Sequence, residues 1–360
     1  MHPVKTALIG YGMSGRIFHA PFIHLLPDFE LCMISTSRPE AAQLINTRYP
    51  GTKIVSDAKQ IPEEKDIELV FVLTPNQTHY ELVKAALLAG KHVVVDKPFT
   101  VTTQEADELI ELAKKQRKLL TVYQNRRWVA DFKTVKKIIS IGKLGRIVEY
   151  TACYDRYVPF IRPKKWKEDG SCPASGVLYD LGPHLIDQVL QLFGMPEEVS
   201  CKIQYQRENT KIDDYFQMML QYPGLIVNLH SGMLVRVPGP NFAIHGTNGS
   251  FIKYGLDVQE GYLDKGKTPD MPGFGKEPPN QWGTLTCDMD GLPVSATVES
   301  ECGSYIDFFT NLGKALRGEE PLAVQPEEAR DVIRIIEAGF QSHREHRSIK
   351  INWPMPNVVS

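Results

Sequence analysis

Short apolar runs alternate with amphipathic stretches along the first 125 residues of the chain. The apolar runs predict β-strands at Val4–Ile9, Glu30–Ser35, Ile67–Leu73, His92–Val95 and Leu119–Tyr123. The stretches between them predict helices within Ile17–Leu26, from Pro39, over His79–Ala89 and from the capping box at Thr102 to Lys118. Strands interleaved with helices are typical of a parallel sheet with helices on both faces. Residues 1–125 are therefore predicted to form a doubly wound α/β domain.

The pattern changes after residue 125. Helices are predicted at Asp131–Ile141, Pro183–Phe193 and Glu327–Phe340. Strands are predicted at Ile147–Tyr154, Val199–Gln206, Tyr215–Tyr222, Leu225–Met233, Phe242–His245 and Phe251–Tyr254. Residues 264–283 are rich in Pro and Gly and are predicted to form a surface loop. Runs of strands without intervening helices favour an antiparallel sheet, so residues 126–360 are predicted to form an α+β domain.

Composition narrows the classes of partner. The chain has 360 residues, enough for two domains of ordinary size. Its net charge of -2 disfavours nucleic acid as a partner, because proteins that bind phosphate backbones are usually far more basic. No apolar run approaches the ~20 residues of a membrane span, and the first residues lack a secretory h-region. The six cysteines are scattered without a CxxC pair, which predicts reduced thiols in a cytoplasmic protein rather than a disulfide framework or a zinc cluster.

A glycine-rich loop follows the first predicted strand and precedes the first predicted helix. It reads Gly10-Tyr11-Gly12-Met13-Ser14-Gly15. In a GxGxxG loop the first glycine permits a tight turn, the second lets the backbone approach a pyrophosphate and the third allows close helix packing. The strand–loop–helix context predicts a Rossmann NAD(P)-binding domain; the alternative is a tight turn with a purely structural role.

The end of the second strand bears on which dinucleotide is bound. A site that prefers NAD usually places Asp or Glu there to bind the ribose 2′-hydroxyl. This chain has Ser35-Thr36-Ser37-Arg38 instead. Hydroxyls and a guanidinium suit a 2′-phosphate, so we predict NADP in preference to NAD. The alternative is that Arg38 is a solvated residue at a helix start.

Polar residues follow three further strands of the first domain. They are Thr74-Pro75-Asn76, Asp96-Lys97-Pro98 and Gln124-Asn125-Arg126-Arg127. In doubly wound sheets, ligands bind outside the carboxyl ends of the strands, so these residues are expected at one crevice. Lys97 in particular is a cation that could hydrogen-bond a substrate oxygen. Its structural alternative is an ion pair with Asp96 or a place on the surface.

The densest polar cluster of the second half is Gly176–Asp187. If a helix begins near Leu181, Asp180 and His184 lie one above the other, and the carboxylate can orient the imidazole while it takes a proton from an alcohol. The alternative is a histidine held by a local carboxylate at a helix start. The cluster supplies no third metal ligand, so no metal is predicted. Arg156 and Tyr157 are either walls of a pocket for a hydroxyl-rich substrate or solvated loop residues.

Four motifs in this order resemble those of the Gfo/Idh/MocA oxidoreductase family. They are the loop Gly10–Gly15, Thr74-Pro75-Asn76-Gln77-Thr78-His79, Asp96-Lys97-Pro98 and Asp180-Leu181-Gly182-Pro183-His184, and they span essentially the whole chain. Asn125-Arg126-Arg127-Trp128 and Phe251-Ile252-Lys253-Tyr254-Gly255 are also similar to the subgroup of NADP-dependent scyllo-inositol dehydrogenases. The family's usual Glu-Lys-Pro appears here with Asp96, which keeps the charge on a shorter side chain.

The resemblance implies a C-terminal domain with a large open, mainly antiparallel sheet that often forms a dimer or tetramer interface. It also implies hydride transfer at a sugar or polyol carbon. Lys97 would contact the reacting oxygen, His184 would be the general acid/base, and Asp180 would orient substrate or histidine. The residues then expected to contact the cofactor are Gly10, Gly12, Met13, Ser14, Gly15, Ser35, Thr36, Ser37, Arg38, Thr74, Pro75, Asn76, His79, Asp96, Lys97 and Asn125; those expected to contact substrate are Arg156, Tyr157, Asp180 and His184.

The sequence thus predicts a homo-oligomeric NADP(H)-dependent oxidoreductase of a secondary alcohol or ketone on a sugar or cyclitol. One alternative is a dinucleotide-sensing regulator that keeps the fold without turnover. The presence of Lys97, Asp180 and His184 together argues against it, because a sensor has no need of proton-transfer groups. A second alternative is a reductase of another small carbonyl or diol substrate, which would call for a flatter and more apolar pocket.

Overall fold

A computed structural model of the chain describes residues 2–162, 165–168 and 170–351, except for the side chains of residues 165 and 166. Its strands are β1 Val4–Ile9, β2 Phe29–Ser35, β3 Lys53–Val55, β4 Leu69–Val72, β5 His92–Asp96, β6 Leu120–Tyr123, β7 Ile147–Cys153, β8 Glu198–Gln204, β9 Tyr215–Tyr222, β10 Leu225–Gly232, β11 Phe242–Gly246, β12 Gly249–Lys253, β13 Gly283–Met289, β14 Leu292–Val298 and β15 Ile349–Lys350. Its α-helices are α1 Ala20–Leu25, α2 Pro39–Arg48, α3 Gln60–Glu63, α4 His79–Leu88, α5 Thr103–Gln116, α6 Ala130–Ser140, α7 Lys165–Glu168, α8 Val177–Asp180, α9 Gly182–Phe193, α10 Gln259–Asp264, α11 Ile306–Leu316 and α12 Pro326–Glu345.

The chain divides into two compact units. The first contains residues 1–133, 257–277 and 300–333, and the second contains the rest of the described chain. The first unit therefore extends past the expected boundary at residue 125. Two hydrogen bonds show how the later segments join it: Ala130 N–H donates to Asp257 Oδ1 (2.9 Å), and the Thr121 hydroxyl donates to the Val324 carbonyl (2.8 Å).

The sheet of the first unit has the order β3-β2-β1-β4-β5-β6. All its pairings are parallel. This is the doubly wound Rossmann order, and it confirms the α/β prediction for this part of the chain. The strand order reverses at β1, between β2 and β4. Ligands of such sheets bind at the carboxyl ends of the strands around that reversal.

The sheet of the second unit has nine strands in the order β14-β13-β12-β11-β7-β10-β9-β8-β15. Only the pairing of β7 with β10 is parallel among those described, so the predicted mainly antiparallel sheet is confirmed. Alternate residues of β9 are buried, which means that one face of the sheet is packed and the other is open. On the packed face α12 lies close to β9 at Gly339, where a Cβ would come within 2.7 Å of the terminal methyl group of Met218.

Several elements differ from the sequence-based prediction. The first helical stretch begins as a π-helix at Ser14–His19 before it continues as α1. The strands β3, β13 and β14 and the helix α11 were not predicted. Most of β14 is exposed, so it lacks the apolar alternation by which a half-buried strand is recognised. No helix in the described part of the chain is long and apolar enough to cross a membrane.

Candidate active site

Two glycines of the loop after β1 are required by the fold itself. Gly10 has φ +100°, and a Cβ on it would lie 2.7 Å from the Leu73 carbonyl oxygen. A Cβ on Gly15 would lie 2.7 Å from the Gly10 carbonyl oxygen. The loop is therefore packed against the end of β4 and against its own backbone, as the tight-turn role of these positions requires.

Gly12 is different, because a Cβ on it would meet no atom within 4 Å. Nothing in the first unit requires glycine there, whereas a phosphate that approaches the backbone does. The neighbouring Ser14 hydroxyl is buried and has no hydrogen-bond partner among the described residues. A dinucleotide pyrophosphate would fill the open space at Gly12 and accept a hydrogen bond from the Ser14 hydroxyl. The loop therefore fits the cofactor.

The end of β2 joins this loop. The Gly10 N–H lies 3.2 Å from both the carbonyl and the hydroxyl oxygen of Ser35, which is buried. The Ser35 hydroxyl therefore helps to shape the loop, and its expected contact with the cofactor stays a prediction. Arg38 is exposed and its guanidinium donates to the Tyr11 carbonyl oxygen. Of the predicted stretch, Ser37 and Arg38 are the residues that the structure leaves exposed beside the loop.

His79 was expected to contact the cofactor, but its ring is fully buried. Nδ1 lies 2.9 Å from the Pro98 carbonyl oxygen and Nε2 lies 2.9 Å from the Thr74 carbonyl oxygen. The histidine thus ties the turn after β4 to the turn after β5. Burial lowers the pKa of His79, against the opposing effect of the Asp96 charge. In this structure His79 is a positioning residue for both turns, and its expected contact with the cofactor stays a prediction.

The turn after β5 carries Lys97. The Asp96 carboxylate accepts the backbone N–H of Lys97 (3.0 Å), and the Lys97–Pro98 peptide is cis. Lys97 is half-buried at the carboxyl end of its strand. The position matches the expectation for a residue that faces a ligand of a doubly wound sheet.

Polar side chains that the sequence did not single out lie in the core behind this strand end. His19 is fully buried, its ring centroid is 4.4 Å from that of Tyr123, and neither ring nitrogen has a hydrogen-bond partner in the described ranges. Burial lowers the pKa of His19 to about 4, although the Asp96 charge opposes the shift. The hydroxyls of Tyr123 and Tyr305 are also buried, and neither has a hydrogen-bond partner among the described residues. In the sequence, the only signal of this group is His19, a histidine within an otherwise apolar stretch that is predicted to be helical.

The two arginines after β6 have structural partners. Arg126 donates to Glu260 (3.0 Å), and Arg127 donates to Glu328 and to the Ala323 carbonyl oxygen (3.0 Å each). They hold later segments onto the first unit. Of the predicted strand-end group, Asn125 is thus the residue that stays a candidate for cofactor contact, and it is largely buried.

In the second unit, the predicted helix start near Leu181 is confirmed, since α9 begins at Gly182 with Pro183 in its first turn. The short helix α8 precedes it and ends at Asp180. The start of α8 is fixed by Asp213, whose Oδ2 accepts the Leu178 N–H (2.7 Å). Burial raises the pKa of Asp213 to about 6, partly offset by that hydrogen bond. The sequence analysis missed Asp213, which holds the segment that carries Asp180.

Asp180 is paired with a lysine. Its Oδ1 accepts from Lys167 Nζ at 3.0 Å, and both side chains are partly exposed. His184 is buried, and its ring packs edge-on to Tyr154 with the centroids 6.4 Å apart. The expected orientation of His184 by Asp180 stays a prediction. Lys167 is a further charged group beside Asp180 that the sequence analysis did not include.

The two expected substrate residues Arg156 and Tyr157 follow β7. The Arg156 N–H donates to the Gly232 carbonyl oxygen (2.9 Å), which extends the pairing with β10. Tyr157 is exposed and its ring lies under the Arg236 guanidinium, 3.9 Å from the ring centroid. The second unit also has a cavity of about 570 Å³ bordered by Tyr179 and Asp213. Neither Asp180 nor His184 is among the described residues that line it, so it does not mark the predicted chemistry.

Comparison with known proteins agrees with this arrangement. A model of the oxidoreductase family's NAD-binding Rossmann fold matches residues 4–124, and a model of its C-terminal alpha/beta domain matches residues 136–351. Scyllo-inositol 2-dehydrogenase (NADP(+)) IolW of Bacillus subtilis is 40% identical over 348 residues, 97% of this chain and 96% of that protein. The uncharacterized oxidoreductase YdgJ of Escherichia coli is 38% identical over 345 residues, 96% of this chain and 97% of that protein.

Among solved structures, that of the oxidoreductase YvaA from Bacillus subtilis is similar with a TM-score of 0.93 and 40% sequence identity. The match covers 97% of this chain and 98% of that chain. The likeness therefore extends over nearly the whole chain, and the residues matched by the two family models include Lys97, Asp180 and His184.

Proposed function

The chain belongs to the Gfo/Idh/MocA oxidoreductase family, and we propose that it interconverts a secondary alcohol and a ketone on a sugar or cyclitol with NADP(H). The observation that carries the proposal is the α8–α9 segment, in which Asp213 fixes the helix start and His184 is buried in the first turn of α9. Its relative IolW is named a scyllo-inositol dehydrogenase, which supports an inositol-like substrate.

The cofactor would be held by the glycine loop, with the pyrophosphate over Gly12 and within reach of the Ser14 hydroxyl. When bound, its nicotinamide ring accepts or returns a hydride at the substrate carbon. Arg38 and Ser37 would bind the 2′-phosphate, because an exposed guanidinium beside the loop is a bidentate donor for phosphate oxygens. The Ser35–Arg38 stretch carries no carboxylate that would repel the phosphate.

The protein's own residues would handle the proton. We propose that His184 takes the proton of the substrate hydroxyl during oxidation and returns it during reduction. Lys97 would donate a hydrogen bond to the same oxygen, which stabilises the negative charge that develops there. Asp180, paired with Lys167, would accept a hydrogen bond from a second substrate hydroxyl or from His184. Arg156 and Tyr157 would contact the more distant hydroxyls.

The substrate class is tested by a screen of inositol isomers, sugars and sugar lactols with NADP⁺ and with NAD⁺, in which the absorbance of the NADPH or NADH formed is followed. The proposal expects turnover with at least one cyclitol or sugar and a higher kcat/KM with NADP⁺ than with NAD⁺. Binding of the dinucleotide without turnover of any such substrate would instead favour the sensing regulator.

The roles of His184 and Lys97 are tested by His184→Ala and Lys97→Ala. His184→Ala is expected to lower kcat by about 10²–10⁴-fold, since a positioned acid or base contributes about that factor. Lys97→Ala is expected to lower kcat by about 10²–10³-fold, the usual effect of removing a donor to a developing negative charge. The Kd for NADPH should change little in both variants. His343→Ala in the second unit and the exposed Lys65→Ala in the first unit are the matched controls, and both should keep wild-type turnover. Wild-type kcat in the two test variants would contradict the assignment.

The open face of the second sheet bears on how copies of the chain assemble. The open face of the second unit's sheet exposes Met219 and Ile226, so we propose that copies of the chain associate through this face as a dimer or tetramer. Light scattering on the purified protein tests this, and a monomer at micromolar concentration would contradict it. A cytoplasmic location stays a prediction from the thiol content.

A further inference from the structure

Three side chains with different ligand atoms meet at the end of two neighbouring strands of the second unit. In the parallel pairing of β7 with β10, Cys153 lies opposite His230. The ladder continues past β7, because Tyr154 N–H donates to the His230 carbonyl oxygen (3.2 Å) and Arg156 N–H to that of Gly232 (2.9 Å). Extended residues two apart point to the same side of a sheet, so Asp155 joins Cys153 and His230 on one side.

The ligand atoms are close enough for a shared cation. One ligand atom from each of the three residues lies within 4.8 Å of the others, and Asp155 Oδ2 is 3.3 Å from His230 Nε2. Cys153 and the Asp155 side chain are 5% and 3% exposed, whereas the His230 side chain is 33% exposed. The cluster is therefore enclosed on two sides and open to solvent on the side of the histidine.

The surroundings hold the ligands in place and leave one atom unused. Asp155 Oδ1 accepts the Gly232 N–H (3.0 Å), which fixes the carboxylate and directs Oδ2 toward His230. The Tyr215 ring packs edge-on to the imidazole, with centroids 6.2 Å apart. His230 Nδ1 is buried and has no hydrogen-bond partner in the part of the chain that the structure describes. Nε2 is the ring nitrogen that faces Asp155, so it is the candidate ligand atom, and Nδ1 is left for a bound water.

We propose that Cys153, Asp155 and His230 form a binding site for a Zn²⁺-like divalent cation. Sulfur, oxygen and nitrogen donors are the set that Zn²⁺ accepts, and three protein ligands leave a fourth position for water on the exposed side. A thiolate and a carboxylate neutralise the two positive charges, so the enclosed site carries no net charge when filled. The Cys153 thiol, which now donates to the Pro240 carbonyl oxygen (3.1 Å), loses its proton to solvent when the cation binds.

The expected consequence is local. Binding links the end of β7 to β10 directly before Arg156 and Tyr157. The cation would therefore hold in place the segment for which substrate contacts are proposed, without touching the residues proposed for proton transfer. The site stands independently of the proposed dehydrogenase activity, because its test needs no substrate.

The experiment uses the full-length protein after treatment with a chelator. Co²⁺ is added first as a spectroscopic probe, and Zn²⁺ is then used to displace it. The proposal expects one Co²⁺ per chain with the visible bands of four-coordinate cobalt and the near-ultraviolet band of a thiolate ligand. Zn²⁺ should remove both and raise the Tm of the wild-type protein.

Cys153→Ser and His230→Gln are expected to weaken Co²⁺ binding by at least about tenfold, and Cys153→Ser to abolish the thiolate band. Cys201→Ser is the matched control, because Cys201 is a buried cysteine on β8 of the same sheet. It should keep the bands, the stoichiometry and the Tm shift. Circular dichroism verifies that each variant is folded. Two outcomes would overturn the proposal. One is that the wild type binds neither Co²⁺ nor Zn²⁺ at about 100 µM. The other is that Cys153→Ser binds the cation as well as the wild type does.

Discussion

Asp213 occupies the space that a side chain at Gly176 would fill. A Cβ on Gly176 would lie 1.9 Å from Asp213 Oδ1, and Gly176 has φ +96°. The other carboxylate oxygen accepts the Leu178 N–H, while the Asp213 carbonyl oxygen accepts the Val177 N–H (2.9 Å). The glycine and the aspartate thus form one unit that fixes the start of α8. The geometry of the segment that leads to Asp180 and His184 depends on both.

Replacing Gly176 by alanine should therefore destabilise the protein by at least about 2 kcal/mol, because the methyl group forces Asp213 away from Leu178 and the backbone conformation disfavours a side chain. Urea denaturation measures the loss. Gly194→Ala is the matched control: Gly194 also has a positive φ (+71°), but a Cβ there meets nothing within 4 Å. It should cost about 1–3 kcal/mol from the backbone alone, and Gly176→Ala should cost more than this control. Equal losses in the two variants would show that the contact with Asp213 is unimportant.

The glycine loop makes opposite predictions at two of its glycines. Gly12→Ala should leave the free energy of unfolding nearly unchanged, since open space surrounds the position, but it should weaken NADPH binding by tenfold or more, on the order of a displaced phosphate contact. Gly15→Ala should destabilise the protein itself, because its Cβ would lie 2.7 Å from the Gly10 carbonyl oxygen. Fluorescence titration with NADPH and thermal unfolding separate the effects. Unchanged NADPH affinity in Gly12→Ala would contradict the placing of the pyrophosphate.

Arg38 tests the cofactor preference. Arg38→Ala should lower kcat/KM for NADP⁺ by about 10–100-fold, the worth of a charge-assisted hydrogen bond, and change the value for NAD⁺ by less than about threefold. Part of any common loss would reflect the contact of the guanidinium with the Tyr11 carbonyl oxygen. The ratio of the two kcat/KM values is therefore the informative quantity. An unchanged ratio would mean that Arg38 does not read the 2′-phosphate.

The sequence predicted best what depends on local pattern. The bounds of β1 and β9 agree with those predicted from the apolar residues, and the capping box of Thr102 with Glu105 is present as expected. The parallel, doubly wound sheet was predicted from the interleaving of strands and helices. These features are set by residues near one another in the chain, which is why a single sequence reveals them.

Contacts between residues that are distant in the chain could not be predicted from the sequence. Asp213 is 35 residues from Leu178, and the role of this carboxylate appears only when the loop before β9 returns to α8. The Cys153–His230 juxtaposition depends on the register of two parallel strands, so the absence of a CxxC pair said nothing about it. His79 was identified by its motif, but its burial between two turns could not be predicted, because that burial is a property of the folded chain.

His19 gives a prediction for acid stability. Its pKa in the folded protein is about 4, against 6.5 for an ordinary histidine, because burial disfavours the charged ring. Between these values the unfolded chain binds a proton that the folded chain does not. Stability therefore falls as the pH is lowered from about 6.5 to about 4, and the loss from this group reaches on the order of 3 kcal/mol.

His19→Leu removes the titrating group from the same apolar surroundings. The free energy of unfolding is measured in urea at several pH values. Between pH 6.5 and pH 4 it should decrease less in His19→Leu than in the wild type, and the two decreases should differ by about 3 kcal/mol. Phe22→Leu is the matched control, because Phe22 stacks on Phe309 in the same aromatic cluster, with centroids 4.9 Å apart, and cannot titrate. Its loss of stability should be the same at every pH. Parallel curves for the wild type and His19→Leu would show that His19 does not oppose protonation in the folded state.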